Sequence, residues 1–356
     1  MDKKELETKI QKTVLRMAVE PNNTENYHEL AKLYALDNQY EKVISVYESL
    51  LSIDPKDMQA LINLGSLWFF AKDYKKALKY FNEAMIVNPS NYIVYYNIGN
   101  TYADMKNFSK ALQFYSRALD FTSTDPELYN AIALLYHDFE DYVESKAYYE
   151  KTLSIDPDNL TALVDLGNVS YKIFDYEGAL DYYKRVYQLA PDNKTVILCI
   201  ANTYAVLKDK KSAYEYFDKA IAIEGDNYKS YICYAIAKSD FKDYGDAIAL
   251  YKKAIEANPK EVNAYILLGN LYSNLGKYKE AEEQYKEALK INKMDPSIYV
   301  LIANVYYMNK ETERSLFSYR AAVNLRPEND EYKLVFIQVL EDFMTESRKD
   351  DIIAEI

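Results

Sequence analysis

The chain has 356 residues, of which 49% are hydrophobic and 28% are charged, and these proportions are typical of an ordered protein rather than a disordered one. It holds only 8 glycines and 9 prolines, too few turn residues for an all-β or an α/β fold, so a mostly helical chain is expected. The 55 acidic residues outnumber the 43 basic ones and give a net charge of −12, which argues against binding to nucleic acid or to anionic membranes.

The first residues, 1–23, are expected to form a capping helix. Lys4–Glu20 carries Ile10, Val14, Leu15 and Met17 and ends at Pro21. The segment is charged and lacks the apolar stretch of a secretory signal, and no run of 18 apolar residues for a membrane span follows it. With two cysteines and no visible signal, a cytoplasmic location is expected.

A period of 34 residues dominates the next part of the chain, because seven prolines recur at multiples of that spacing. These are Pro21, Pro55, Pro89, Pro157, Pro191, Pro259 and Pro327. The period predicts nine consecutive repeats over 24–329, without insertion or deletion. They start at residues 24, 58, 92, 126, 160, 194, 228, 262 and 296.

Three positions of the repeat predict how two helices pack in each copy. Position eight is Gly or Ala in all nine repeats, position twenty is Ala or Ser in eight, and position twenty-four is aromatic in all nine. Small residues let two antiparallel helices approach, and we expect the aromatic ring to fill the wider gap toward the next pair. In the fourth repeat, Tyr129, Ile132, Ala133 and Tyr136 form the stripe of the first helix.

The last part, 330–356, is expected to form a capping helix and a tail, with Tyr332–Phe343 in the phase of a tenth first helix. Its apolar residues are too many for one buried side, so either the tail Asp350–Ile356 folds over them or another molecule does. They are Leu334, Val335, Phe336, Ile337, Val339, Leu340 and Phe343.

This pattern resembles the tetratricopeptide repeat (TPR) family over about 306 residues. The second repeat carries the family signature nearly whole, with departures in other repeats at Ser170, Lys238, Gly225 and Lys293. Its matching residues are Leu61, Leu64, Gly65, Trp68, Ala77, Phe81, Ala84 and Pro89. The resemblance implies an all-α fold, an α-solenoid in which helix-turn-helix repeats form a right-handed superhelix with the first helices on the concave face. It also implies a protein–protein interaction scaffold that binds an extended or helical segment of a partner.

Asparagines recur at positions that the resemblance assigns to the concave groove, namely two, five, six, nine, twelve and thirteen. An amide can pair with both groups of a peptide backbone, so these residues are candidates for peptide binding. Alternatively, they bond neighbouring helices or water. They are Asn63 and Asn97 at position six and Asn100, Asn168, Asn202, Asn270 and Asn304 at position nine.

Charges in the groove columns predict a neutral or basic partner rather than an acidic one. The acidic residues are Glu25, Glu29, Asp104, Glu127, Asp138, Asp165 and Asp240, against Lys32, Lys172 and Lys229. The alternative is that these carboxylates only solvate a surface. The clamp by which some TPR proteins hold acidic chaperone tails is not matched, because position five never carries Lys and Cys233 follows Lys229 at position six.

No catalytic, metal or cofactor site is expected. Cys199 and Cys233 lie one repeat apart, which is far for a disulfide, and they lack the ligand spacing of a zinc site. His28 and His137 are about three repeats apart and suggest neither a metal pair nor a catalytic triad. An enzyme with an unrecognised carboxylate site remains a distant alternative.

The second functional hypothesis is self-assembly, including a homodimer, through the apolar terminal helix. Its candidate contact residues are Phe336, Leu340 and Phe343. The 38 tyrosines are better explained by an AT-rich genome, which would also enrich Lys, Asn and Ile, than by a function.

Overall fold

A computed structural model describes residues 3–223, 225 and 227–355, and the side chains of 346–355 lie outside that description. The secondary structure of the described residues consists of twenty α-helices without a strand, which confirms the predicted all-α fold. The chain divides into an N-terminal unit, Met1–Tyr182, and a C-terminal unit, Tyr183–Ile356.

The helices alternate between a first and a second type along the period of 34. Each first helix, α2 to α18 in even numbers, has 13 residues and begins at the first position of a repeat. The bounds are α1 Lys3–Val19, α2 Thr24–Leu36, α3 Tyr40–Ile53, α4 Met58–Phe70, α5 Tyr74–Val87, α6 Tyr92–Asp104, α7 Phe108–Leu119, α8 Pro126–Asp138, α9 Tyr142–Ile155, α10 Leu160–Lys172, α11 Tyr176–Leu189, α12 Lys194–Val206, α13 Lys210–Ala222, α14 Tyr228–Asp240, α15 Tyr244–Ala257, α16 Val262–Asn274, α17 Tyr278–Ile291, α18 Pro296–Met308, α19 Thr312–Leu325 and α20 Asp330–Glu355.

Asp and Asn side chains begin many of these helices, because they accept a hydrogen bond from a backbone N–H that the first turn leaves unpaired. Asp57 accepts from the N–H of Ala60 at 2.8 Å ahead of α4, and Asp73 accepts from the N–H of Lys76 at 3.1 Å ahead of α5. Such caps fix where each helix starts and keep the repeats in phase.

The turn inside each repeat depends on one residue in the left-handed backbone region, at position fifteen. Its N–H and that of the next residue return to the end of the first helix, as in a Schellman motif. Gly276 supplies this position once, with a φ of 70°, whereas the other eight repeats use side-chain-bearing residues such as Phe174, with a φ of 65°. The eight are Asn38, Lys72, Lys106, Glu140, Phe174, Lys208, Lys242 and Lys310.

The residues at positions eight, twenty and twenty-four are buried in all nine repeats. A Cβ added to Gly65 would lie 2.4 Å from the ring of Phe81, and one added to Gly99 would lie 2.5 Å from the ring of Tyr115. The aromatic ring therefore packs against position eight of its own pair, and the expectation that it fills the gap toward the next pair misses this contact.

The helix pair is also tight where serine replaces alanine at position twenty. The Ser315 hydroxyl donates to the backbone oxygen of Ala303 at 2.9 Å. A bond of this kind between the two helices requires small residues at both positions.

The two terminal helices differ in how well they cover the array. On α1, Leu6 and Thr13 are buried, and Ile10 and Met17 pack against the first repeat, whereas Leu15 is 68% exposed. On α20, Val339 is buried against Ala303 and Tyr319. The helix continues to Glu355, so the tail extends α20 instead of folding over it, and that alternative for the apolar residues is wrong.

The turn geometry predicts opposite effects for the same substitution at two glycines. Gly276→Ala places a side chain at a φ of 70° and should lower the free energy of unfolding by about 1 kcal/mol. Gly245→Ala, inside α15 with no atom within 4 Å of the added Cβ, should raise it by up to about 1 kcal/mol. Urea denaturation followed by circular dichroism measures both. Equal effects of the same sign would contradict the assignment of position fifteen.

Candidate functional site

A hollow of about 360 Å³ lies on the first helices α6, α8 and α10 of the N-terminal unit, and we call it the central hollow. Many of its lining residues occupy the columns that the sequence assigns to the groove. Asn100 is at position nine, Asp104 and Asp138 are at position thirteen, Glu127 is at position two, and Asp165 is at position six. The full lining is Phe69, Tyr96, Asn100, Ala103, Asp104, Lys106, Tyr115, Glu127, Asn130, Ala131, Leu134, Leu135, Asp138, Tyr149, Thr161 and Asp165.

A second hollow of about 730 Å³ lies between α2 and α4 of the same unit. Asn63 lines it beside Leu67 and Phe70, and the Phe70 side chain is 77% exposed. Its remaining lining consists of His28, Glu29, Ala31, Lys32, Ala35, Val43, Tyr47, Gln59 and Ser66.

Four of the seven predicted asparagines are held by the hydroxyl of a position-twenty-four tyrosine. The Tyr115 hydroxyl donates to Oδ1 of Asn100 at 2.7 Å, and the Tyr285 hydroxyl donates to Oδ1 of Asn270 at 2.6 Å. The Tyr319 hydroxyl donates to Oδ1 of Asn304 in the same way. In the first pair of repeats the contact is reversed: Nδ2 of Asn63 donates to the Tyr47 hydroxyl at 2.8 Å.

The other three asparagines have different surroundings. Asn97 is half-buried, and its backbone oxygen accepts from the Thr101 hydroxyl at 2.7 Å. Burial raises the pKa of Asp165 and of the Cys233 thiol, and hydrogen bonds with the side chains of Asn168 and Asn202, respectively, offset part of that rise. Asn63, Asn97, Asn100 and Asn168 belong to the N-terminal unit, and Asn202, Asn270 and Asn304 belong to the C-terminal unit.

Ion pairs neutralise several carboxylates of the groove columns. Nζ of Lys72 lies 2.6 Å from Oδ2 of Asp104, and Nζ of Lys106 lies 2.8 Å from Oδ2 of Asp138. Glu29 pairs with Arg16 of α1. The Lys–Asp pairs join position fifteen of one repeat to position thirteen of the next, a spacing of 32 residues. The groove columns of this unit are therefore less acidic than a count of charges predicts.

Asp165 differs from these paired carboxylates. Burial raises its pKa above the ordinary value, while the Tyr149 hydroxyl, which donates to Oδ2 at 3.4 Å, and the charge of His137 act in the opposite direction. No lysine or arginine forms an ion pair with it within the described chain. It is a half-buried acid whose hydrogen-bond partners are neutral.

The thiols and the imidazoles take structural positions. Cys199 and Cys233 are free and half-buried, and burial raises the pKa of both. Nε2 of His28 lies 2.9 Å from Oδ2 of Asp57, the residue that caps α4, and the His137 ring packs edge-on against Tyr142. Across the described residues, no group of three His, Cys, Asp or Glu side chains could hold a metal ion.

The three predicted self-association residues follow one stripe of α20, at spacings of four and three residues, and they differ in exposure. Phe336 packs against the ninth repeat, Phe343 is half-buried, and Leu340 is 36% exposed. More exposed apolar side chains, which the sequence did not single out as contact residues, are Leu334 at 67% and Ile337 at 49%. In the described part of the chain no helix is both long and apolar enough to cross a bilayer.

The paired helices of both units define an α-solenoid of helix-turn-helix repeats. Tetratricopeptide repeat family models match residues 27–59, 92–121, 126–159, 160–193, 240–305 and 296–329. The chain therefore belongs to the tetratricopeptide repeat family, as its residues predict. Proteins of this family generally serve as protein-interaction scaffolds and are typically non-catalytic.

Solved structures share the fold at low sequence identity. A tetratricopeptide repeat protein from Parabacteroides merdae is 17% identical with a TM-score of 0.55, and the match covers 70% of this chain and 98% of that one. The C-terminal part of a TPR repeat-containing protein from Cytophaga hutchinsonii is 15% identical with a TM-score of 0.51, covering 67% and 97%. A search of the curated proteins finds none that matches this chain.

The buried tyrosines predict a loss of stability in alkali. Burial raises the pKa of Tyr251 and of Tyr285 to about 12, against 10.0 for an unperturbed tyrosine. Below pH 10 both the folded and the unfolded chain keep these protons, so stability is unaffected. Between pH 10 and 12 only the unfolded chain releases them, so the free energy of unfolding should fall as the pH rises. Urea denaturation at a series of pH values measures this.

Absorbance at 295 nm gives the matching spectroscopic control. The folded protein should show tyrosines that ionise only above pH 11, whereas the urea-unfolded chain should titrate in one step near pH 10. A single step in the folded protein would contradict the burial of these hydroxyls.

Proposed function

We propose that the protein is a non-catalytic scaffold that binds an extended or helical segment of a partner protein on the face formed by its first helices. The observation that carries this proposal is the central hollow, which is built from groove columns of successive first helices. The mixture of paired and unpaired carboxylates favours a neutral or basic partner over an acidic one, a nucleic acid or an anionic membrane. We propose a cytoplasmic location for this activity.

The tyrosine contacts suggest how the amides would act on a peptide. A tyrosine hydroxyl occupies one lone pair of the amide oxygen in Asn100, Asn270 and Asn304. Each amide then keeps two N–H donors and a second lone pair for a partner's backbone. Because the hydroxyl fixes the amide before binding, less side-chain entropy is lost when the peptide binds.

The amides can be removed without leaving a buried hydroxyl unpaired. The variant changes each asparagine to leucine together with its tyrosine to phenylalanine, since replacing both partners of a hydrogen bond by apolar groups costs little stability. The pairs are Asn100→Leu with Tyr115→Phe, Asn270→Leu with Tyr285→Phe and Asn304→Leu with Tyr319→Phe. A pull-down from the source cell's lysate should retain a partner on the wild type and lose it, by roughly tenfold or more, on this variant.

The matched control carries the three Tyr→Phe changes alone and keeps the amides. It should retain the partner, because only the support of the amides is altered. Circular dichroism establishes that both variants are folded. A partner retained equally by the wild type, the control and the asparagine variant would overturn binding through the amides.

Self-assembly through α20 is the second candidate function, favoured by the exposure of Leu334 and Ile337. Two apolar side chains three residues apart on one helix form a stripe that a second copy could cover. Phe336 is less suited to this role because it already packs against the ninth repeat.

This candidate predicts that molecular mass rises with protein concentration in sedimentation equilibrium. Leu334→Lys with Ile337→Lys should abolish the rise, because charges would then occupy the apolar contact. The control, Glu280→Lys with Glu283→Lys, introduces lysines at exposed positions of α17 instead of α20 and should leave the rise in place. A wild-type protein that stays monomeric at the highest concentration would exclude self-assembly.

A further inference from the structure

We propose that the central hollow binds the cationic side chain of an arginine or lysine in the partner's segment, with Asp165 and Glu127 as its counter-charges. The inference rests on the proposed function and names the chemistry of the partner at one place in the groove. It starts from the hollow itself, whose volume of about 360 Å³ is within the range of roughly 300–1,000 Å³ for ligand pockets and is large enough to admit a long side chain.

Some carboxylates around the hollow have a lysine partner and others do not. Asp104 and Asp138 have lysine partners at 2.6 and 2.8 Å, contributed by the preceding repeats. Lys106, the lysine that lines the hollow, is the partner of Asp138. Asp165 and Glu127 have no ion pair with any described residue, so two negative charges are left for a ligand.

Asp165 is the stronger of the two anchors. It is half-buried at the lining of the hollow, where burial raises the pKa of its carboxyl. A desolvated carboxylate without a cation is costly, and a bound guanidinium or ammonium group would offset that cost. Its hydrogen bond from Tyr149 leaves further lone pairs on the carboxylate for such a donor.

A buried acceptor without a partner also lies at the lining of the hollow. Oδ1 of Asn130, another lining residue, is shielded from solvent and has no hydrogen-bond partner. An arginine side chain has five N–H donors in a plane, which is enough to reach a carboxylate and an amide oxygen together. The ring of Tyr96 lines the same hollow and offers a face for cation–π contact.

The same observations disfavour other ligands. An acidic peptide or a nucleic acid would bring negative charge to Asp165 and Glu127. A metal ion is disfavoured because the described residues contain no group of three His, Cys, Asp or Glu side chains placed to ligate one. A cationic side chain is the ligand that satisfies both the carboxylates and the amide oxygen.

The test compares arginine with citrulline, which has the same shape but no charge. The probe is an array of ten-residue peptides with randomised flanks and a fixed central arginine, lysine, citrulline or glutamate. The full chain should bind the arginine set roughly tenfold or more above the citrulline set, as a charge-assisted hydrogen bond predicts. The lysine set should also exceed citrulline, and the glutamate set should be weakest.

The variant Asp165→Asn with Glu127→Gln keeps the shape of the hollow and removes its free charge. It should bind the arginine and citrulline sets equally, with an unchanged or higher melting temperature because a desolvated carboxylate is gone. The control, Glu150→Gln with Asp158→Asn, makes the same chemical changes at exposed positions outside the hollow and should keep the preference for arginine.

Three results would overturn the inference: equal binding of arginine and citrulline by the wild type, a preference that survives Asp165→Asn with Glu127→Gln, or binding to none of the four sets. The proposed function is judged separately by the asparagine variants. Peptide binding that ignores charge but depends on the amides would leave the scaffold in place and remove only the cation site. Failure of both experiments would remove both.

Discussion

The close approach of two helices inside each repeat is the constraint on which the rest of the structure depends. Small residues at positions eight and twenty allow it, and the aromatic ring at position twenty-four seals it, as Phe81 does against Gly65. Where the buried ring is a tyrosine, its hydroxyl must find a partner, and in several repeats it finds one on the first helix. Tyr115 with Asn100 is an example. The packing of the core thus determines which polar groups of the candidate groove are held in place.

A second set of contacts, ion pairs between neighbouring repeats, determines which carboxylates of the first helices are neutralised. The pairs Lys72–Asp104 and Lys106–Asp138 satisfy carboxylates at the end of one first helix with a lysine from the turn of the preceding repeat. Exposed pairs of this kind add little to stability, but they decide which charges remain for a partner. The uncompensated acids, Asp165 among them, are consequently a property of the pairing pattern rather than of the composition.

Much of the fold can be predicted from the sequence because the 34-residue period repeats the same physical problem nine times. The residues at positions eight, twenty and twenty-four identify both helices and their contact, and the prolines mark where pairs end.

Less of the candidate site can be predicted from the sequence. The left-handed turn is hidden because Phe174 and several lysines occupy a position where glycine would have signalled it. The tyrosine–asparagine bonds and the Lys–Asp pairs leave a trace only as spacings of 15, 16 and 32 residues, which become meaningful once the packing of neighbouring helices is known. A count of charges treats Asp165 and Asp104 alike, but in the structure Asp104 has a lysine partner and Asp165 does not.

The turns inside the repeats have a consequence for proteolysis. Each is closed by two backbone hydrogen bonds, such as those from Lys72 and Asp73 to the end of α4 at 2.9 Å, so an exposed turn is still a rigid one. A protease must hold its substrate as an extended strand, and such a turn cannot supply one without unravelling the adjoining helices. Cleavage there would therefore report how often a repeat opens rather than how exposed its surface is. The fragments from limited digestion would rank the repeats by local stability, and a bound partner would be detected by the repeats that it keeps closed.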